Sequence, residues 1–485
     1  MPPSRRSLIQ ILACLSLPPL LSLACANAAT PITANPETNL SQNSTAEYPA
    51  TFVTHEEDLA PPVGQMEFSG SLELVREALR NISFEQRPSD DLRTLKQEIQ
   101  LQLLYRASEQ LSAFVEVKGL AEQQFDATTQ RRSEKEVERG ESWLYWQRLF
   151  DGHASVKIGR QNFVEPRQWW WDADLDALRF DYARDSWHLS LGVAEAITRK
   201  SLREHFIDPE DEGVLRWLGY ANWRLAPGLQ LAAFYLHQRD DSARSSLNSL
   251  IETARVDESD ANLRWVGLRA AGDFDGPMGS SLFYWIDAAT VAGNETMVEY
   301  TNEAGGMSRV ASVRQQRVRG RAADVGIVWK LAAPRVPTLS LSYARGSGDK
   351  NPNDDTDRAF RQTGLQDPTQ EFRYYGELLR PELSNLNITS AMFGFAVTGK
   401  SRLTLGYHRF QQVQPAAFLR DARLAIAPTG ENKDIGRELS LLAEIREWEN
   451  LKVVLAAATF KAGDAFGAAA GKRAKSLFFE LTLEF

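Results

Sequence analysis

Cysteine is almost absent from this chain: two in 485 residues, Cys14 and Cys25, both near the start. Everything beyond residue 28 therefore lacks disulfides, thiolate nucleophiles and cysteine metal sites. Many exported proteins are stiffened by disulfides, so a large exported chain without them needs another source of rigidity, and a closed hydrogen-bonded barrel is one. Internal apolar runs of eighteen residues are also missing, which removes membrane-spanning helices but leaves spanning strands open. The six histidines (55, 153, 188, 205, 237 and 408) are scattered without metal-ligand spacing. There is no G-x-S-x-G and no phosphate-cradling glycine loop. The chain thus reads as a non-enzyme with no cofactor and no metal. A barrel lipase or protease would need a serine partnered to one of those histidines, and none is obvious. The formal net charge of −9 argues against nucleic acid as a partner.

What is present begins at the N-terminus. Arg5 and Arg6 precede an apolar run from Leu8 to Leu23, followed by Ala26-Asn27-Ala28. A basic region, an apolar region and a small-x-small site predict a secretory signal peptide over 1–28, cut after Ala28. Its removal takes away Arg5 and Arg6 and no acidic residue, moving the net charge from −9 to −11. Residues 29–64 are rich in Thr, Asn, Pro and Ala and read as a flexible periplasmic leader.

From 65 to 485 the texture is uniform. Period-two alternation recurs and helical periodicity does not. Ile99, Leu101, Leu103 and Tyr105 oppose Glu98, Gln100 and Gln102; Leu439, Leu441, Ala443 and Ile445 oppose Glu438, Ser440 and Glu444. About eighteen strands are expected, starting near 66, 92, 111, 139, 154, 176, 187, 214, 229, 263, 279, 321, 337, 386, 401, 434, 450 and 475. Short connections such as 108–110, 151–153 and 226–228 alternate with long charged ones near 123–138, 161–175, 197–213, 239–262, 293–320, 346–385, 414–433 and 462–474. That rhythm predicts an all-β fold: a transmembrane antiparallel up-and-down barrel with short periplasmic turns and long extracellular loops, in a Gram-negative outer membrane. Trp143, Tyr145, Trp146, Trp187, Trp217, Trp223, Trp329 and Phe485 near strand ends are expected to form interfacial girdles. The last strand, "KSLFFELTLEF", should pair with the strand near Gln65, with Leu477 to Phe485 on odd positions meeting lipid.

Several segments are dense in Gly, Arg and acids at strand ends: "IGRQNF" (158–163), "LSYARGSGDKN" (341–351), "GELLRPELSNLNI" (376–388), "KDIGREL" (433–439) and "FKAGDAFG" (460–467). In this order and spacing they resemble the alginate export porins of bacterial outer membranes, over about Glu67 to Phe485. The resemblance implies an eighteen-stranded monomeric barrel that exports an anionic exopolysaccharide through an arginine-rich constriction. It also implies as partners the polyanionic polysaccharide, outer-membrane lipid, the barrel-assembly machinery and periplasmic export proteins. Arginine suits the task, being permanently charged and presenting a planar fork to carboxylates.

Arg160 and Arg380 match the family's basic pore positions, Arg345 and Lys461 lie in shared motifs, and Arg373 lies near another family arginine. Arg179 enters by parity, since Leu178, Phe180 and Tyr182 would face lipid and leave Arg179 and Asp181 inside. Parity alone also groups Arg160 with Val156 and Ile158, and Arg345 with Leu341 and Tyr343, unless the chain bulges there. Val454, Ala456 and Glu73 stand where the family pattern leads one to expect basic residues. The competing reading is a substrate-selective uptake porin for small organic acids or sugars on the same architecture.

Overall fold

The computed structural model describes residues 61–85, 91–126, 131–240, 246–351, 354–366 and 375–485. The segments assigned from sequence to the signal peptide, and the leader as far as residue 60, lie outside them, as does Arg373.

Twenty strands follow in chain order: β1 (Met66–Arg80), β2 (Leu92–Arg106), β3 (Leu111–Asp126), β4 (Arg131–Leu149), β5 (Ala154–Val164), β6 (Asp172–Arg184), β7 (Trp187–Ala194), β8 (Val214–Ala226), β9 (Leu229–Asp240), β10 (Leu250–Glu252), β11 (Ser259–Asp275), β12 (Ser281–Glu303), β13 (Met307–Lys330), β14 (Thr338–Gly346), β15 (Thr356–Asp357), β16 (Leu386–Ala396), β17 (Arg402–Gln412), β18 (Asp434–Trp448), β19 (Leu451–Ala462) and β20 (Arg473–Glu484). β10 and β15 are short loop strands that pair with β13. The other eighteen run antiparallel, each to its neighbour, and close through β1 and β20 from Ser71↔Glu484 to Arg80↔Lys475. The seam is extended by Phe485, whose N–H and C=O exchange hydrogen bonds of 2.9 Å with Gly70.

The strand starts lie within about four residues of those expected from sequence except at β4 and β13, which begin at Arg131 and Met307 rather than near 139 and 321. The region 293–320, expected as a loop, is a hairpin in which β12 and β13 stay paired out to Glu303↔Met307. Beyond the bilayer both faces of a hairpin are wet. The alternation fades there while the backbone ladder continues, so the pattern marks the membrane-embedded part of a strand rather than its end.

Alternation decides which face each residue takes. On β18 and β19, Leu439, Leu441 and Leu455 are exposed outward while Glu438, Ser440, Val454 and Ala456 are buried inward. Trp187 and Trp223 stack outward at the short-turn rim, ring centroids 4.9 Å apart. Trp143 and Tyr145 depart from the girdle expectation. They share the inward parity of Phe114 and Lys157, and Lys157 Nζ lies 4.3 Å from the Trp143 ring centroid and 5.2 Å from that of Tyr145.

Leu441 lies mid-way down the outward apolar face, between Leu405 and Ala457. Leu441→Arg should destabilise the barrel by about 2–4 kcal/mol, whereas Gln100→Arg on the inward face should cost under about 1 kcal/mol. Reversible unfolding in lipid vesicles measures both, and equal costs would contradict the assigned faces.

Candidate functional site

An eighteen-stranded barrel is wide enough for an aqueous lumen. Here the extracellular half of that lumen is occupied by connections that turn inward: 165–171 between β5 and β6, and 354–366 and 375–385 between β14 and β16. Trp169, Trp170 and Trp171 are all buried, as are Phe360, Leu365, Tyr375, Leu378, Leu379 and Leu383. These side chains pack on inward wall residues, so an extensive apolar cluster of the described residues lies inside the barrel.

The sequence prepares the wall for this. Trp170 stacks on Phe234 of β9 at 4.8 Å, and its ring edge lies over Gly267 of β11, where a Cβ would come within 2.0 Å of it. Segment 354–366 crosses β13 at Gly320, where a Cβ would meet Phe360 Cα at 2.4 Å. Glycine at these two positions lets the inward segments lie against the sheet.

Charge locks the first segment in place. Glu165 accepts hydrogen bonds from the backbone N–H groups of Arg167, Trp169 and Trp170, and pairs with Arg269 of β11. Burial opposes its ionisation, but Arg269 and the backbone donors outweigh that and hold its pKa below the usual glutamate range. Arg269 Nε also donates to Asp287 of β12 at 2.7 Å. Arg167 pairs with Asp287 and lies 3.3 Å from Asp324 of β13, with its guanidinium 4.6 Å from the Trp285 ring centroid. Tyr375 donates to Asp324 at 2.6 Å and accepts from Trp169 Nε1 at 2.9 Å, which ties the two segments together.

A second anchor holds 375–385. The Glu438 carboxylate of β18 accepts the N–H groups of Glu377 (2.6 Å), Leu378 (3.0 Å) and Leu379 (2.9 Å). Glu382 accepts from Gln362 N at 2.6 Å and lies 3.4 Å from Arg420, while Gln362 accepts from Leu383 N at 2.9 Å. Burial, only partly offset by Arg420 and the Gln362 N–H, pushes the Glu382 pKa up to about 7.

The sequence-assigned basic residues do not assemble into one ring. Arg380 is in the lumen, buried, with a left-handed φ of 41°. It lies 4.0 Å from Glu77 of β1, 3.7 Å from Glu377 and 5.9 Å from the Phe478 ring centroid. Arg179 faces the lumen as parity required, paired with Asp181 at 2.8 Å and donating to Ser190 at 3.1 Å. Arg345 and Lys461 are corrections. Arg345 is exposed with Leu341 and Tyr343, and Lys461 shares the parity of Leu455 and Ala457; both point outward because neither strand bulges to flip them.

Arg160 is a third correction. It stands between Ser142 and Asp176, on the side opposite Lys157 and Gln161. Above this point β4 leaves β5, and residues 137–139 pair instead with 200–202, so Arg160 lies at the parting of the two strands. Its Nε is enclosed and has no hydrogen-bond partner among the described residues.

Sequence reasoning missed Arg167, Arg269, Arg361 and Arg423. Arg269 carried a signal, sharing parity with Trp265 on "NLRWVGLRAAG"; the other three lie in loops, which have no period to read. Arg361 pairs with Glu295 at 2.7 Å and Asp357 at 2.8 Å, and Arg423 pairs with Glu77. Elsewhere on the wall, cations again sit beside carboxylates: Lys96 with Glu98 (2.8 Å), Lys118 with Glu116 (3.0 Å) and Lys452 with Glu480 (3.0 Å). These lumenal cations are each partly offset by an acid.

Comparison with known proteins places this architecture. The family model described as Alginate export matches residues 65–480. Alginate production protein AlgE of Pseudomonas aeruginosa is 26% identical over 297 residues, 59% of this chain and 59% of that protein. The protein of the same name from Pseudomonas syringae pv. tomato is 23% identical over 372 residues, 69% of this chain and 73% of that one. The first match thus spans under two thirds of its relative's length. Among solved structures, Pseudomonas aeruginosa OccK7 (OpdD) superposes with a TM-score of 0.54 at 12% identity, covering 87% of this chain and 99% of that one. Acinetobacter baumannii OccAB1 gives 0.54 at 9%, covering 87% and 97%. At such identities the likeness to these structures concerns the fold alone.

Two measurements test the inward anchoring. Gly320→Val should push 354–366 off the wall, costing about 1–3 kcal/mol, and raise single-channel conductance; an unchanged conductance would contradict the close approach. For Glu382, the seated carboxyl binds its proton more tightly than a released one with a pKa of about 4.3. Seating is therefore most favourable at low pH and weakens as pH rises through about 7. Channel recordings should show more frequent opening at pH 8 than at pH 5.5, and Glu382→Gln should flatten that dependence.

Proposed function

The chain belongs to the alginate export family, and from that premise we propose that it is the outer-membrane channel through which an anionic exopolysaccharide, alginate or a polymer like it, leaves the cell. The observation that carries this reading is the family match across 65–480, nearly the whole of the barrel. The chemistry of the lumen is compatible with it. A polymer must enter, slide and leave, so each contact has to be favourable, weak and repeated. Cations already partnered by acids provide such contacts: a uronate carboxylate exchanges with Asp181 at Arg179, or with Glu116 at Lys118, without facing a bare charge from which it would leave slowly. Arg380 takes the same role within the inward segment 375–385. Sugar hydroxyls find acceptors in the carboxylates that remain. Passage of a chain requires the inward segments to move, and their attachment through charge pairs and backbone hydrogen bonds permits movement between discrete seated and released positions.

The purified protein in planar bilayers tests this. Oligomannuronate should block the ion current at least about tenfold more tightly than a neutral oligosaccharide of equal length. Arg179→Glu and Arg380→Glu should each weaken that block more than Arg446→Glu, at the short-turn end of β18. Equal block by neutral sugars, or a cation-preferring channel with Arg179 and Arg380 intact, would overturn the reading. A current blocked by small organic acids but not by the polymer would assign the barrel to uptake instead.

A further inference from the structure

The outside of the barrel carries a cationic feature that the lumen does not explain. Arg409 of β17, Arg437 of β18, Lys461 of β19 and Arg473 of β20 stand directly opposite one another: Arg409↔Arg437, Arg437↔Lys461, Lys461↔Arg473. All four share parity with exposed apolar side chains, Leu405, Leu439, Leu455 and Leu477, and therefore face outward. Like charges directly opposite in a sheet repel. Among the described residues none of the four forms an ion pair, and Asp434, one outward rung higher opposite Gln411, pairs with none of them.

The position of the row defines its surroundings. One outward rung lower the residues are Tyr407, Leu439, Thr459 and Lys475; a further rung lower they are Leu405, Leu441, Ala457 and Leu477. The charges thus stand where the apolar belt ends, on the long-loop side. In a barrel whose strands tilt by about 40°, a constant height moves along the register by about one residue per strand. The four directly opposite residues therefore climb by roughly 3 Å per strand from β17 to β20, and the flanking cations partly offset that climb. Past β20 the row steps down to Lys475, opposite Arg80 of β1. On the other flank it steps up to Arg345 of β14, opposite Asn387, whose own partner Gln411 is two residues above Arg409. The result is a cationic arc along the long-loop rim of the apolar surface.

We propose that this arc binds the phosphate-bearing head groups of outer-leaflet glycolipids, with their acyl chains on the apolar belt beneath. Arg forks take phosphate oxygens two at a time and Lys adds point charge. An anionic head group bridging two strands converts the cross-strand repulsion into attraction. The contiguous apolar face directly below favours a lipid over a soluble anion, which has no use for it. The surface lies on the opposite side of the wall from the channel, so this proposal and the export reading fail independently.

The test uses the full protein in a non-ionic detergent with diphosphorylated lipid A, its dephosphorylated form and inorganic phosphate as separate probes. Native mass spectrometry should show binding of the diphosphorylated lipid, with binding of the dephosphorylated form at least about tenfold weaker. Arg437→Gln with Lys461→Gln should weaken diphosphorylated-lipid binding by at least about tenfold. Without lipid, that variant should melt no lower than the parent, because neutralisation relieves repulsion. If it does not fold, Arg437→Gln alone should show a smaller loss in the same direction. Equal binding of both lipids, undiminished binding by the variants, or equal stabilisation by inorganic phosphate would overturn the assignment. So would retention of an acidic polysaccharide, rather than lipid, on the arc.

Discussion

A backbone N–H or C=O facing hydrocarbon has no water to turn to, and each one left unpaired costs on the order of a few kcal/mol. In this chain the demand is hardest to meet where the first and last strands join, far apart in sequence. The ladder from Ser71↔Glu484 to Arg80↔Lys475, finished by the Gly70–Phe485 pair, meets it. A terminal aromatic that would fray in water is held by two backbone hydrogen bonds. Once closure is fixed, parity is fixed for every strand, and parity sorts each side chain to lipid or lumen. A chain with no cysteine beyond residue 25 takes its rigidity from this sheet.

Closure of eighteen strands leaves more space than wall side chains can fill, and the inward segments occupy much of it. Their packing resembles a soluble core turned outside in: three consecutive tryptophans and a cluster of leucines sit where a simple pore would hold water. Two kinds of anchor keep them there. Buried charge networks around Arg269, Asp287 and Asp324 fix one segment, and the Glu438 carboxylate grips three successive N–H groups of the other. Such anchors are specific in geometry and separable in steps.

The barrel was legible in the sequence because period-two alternation is imposed by the membrane on both faces at once. Leu477 and Glu480, or Leu439 and Glu438, announce their sides without help from tertiary structure. The basic residues were less legible, and for a definite reason. Motif matching selected Arg160, Arg345 and Lys461, while simple alternation placed the first two with lipid-facing neighbours; the structure sides with alternation for both. Arg179, chosen by parity alone, is where parity put it. Arg167, Arg361 and Arg423 sit in loops, where neither period nor register exists until the chain is folded back into the lumen. Asp181 was placed inside by the same parity as Arg179, and Glu295 lay in a region expected as a loop, but their pairings were not visible, because cross-strand and strand–loop partners emerge with the register.

What crosses the membrane decides between export and uptake. Deleting the gene in a strain that makes a uronic-acid exopolysaccharide, and assaying polymer in the medium and in the periplasmic fraction, tests this most directly. Secreted uronate should fall sharply and return when the full chain is supplied. Unchanged secretion in the deletion strain, accompanied by lost growth on a small acidic or sugar solute, would contradict the export reading.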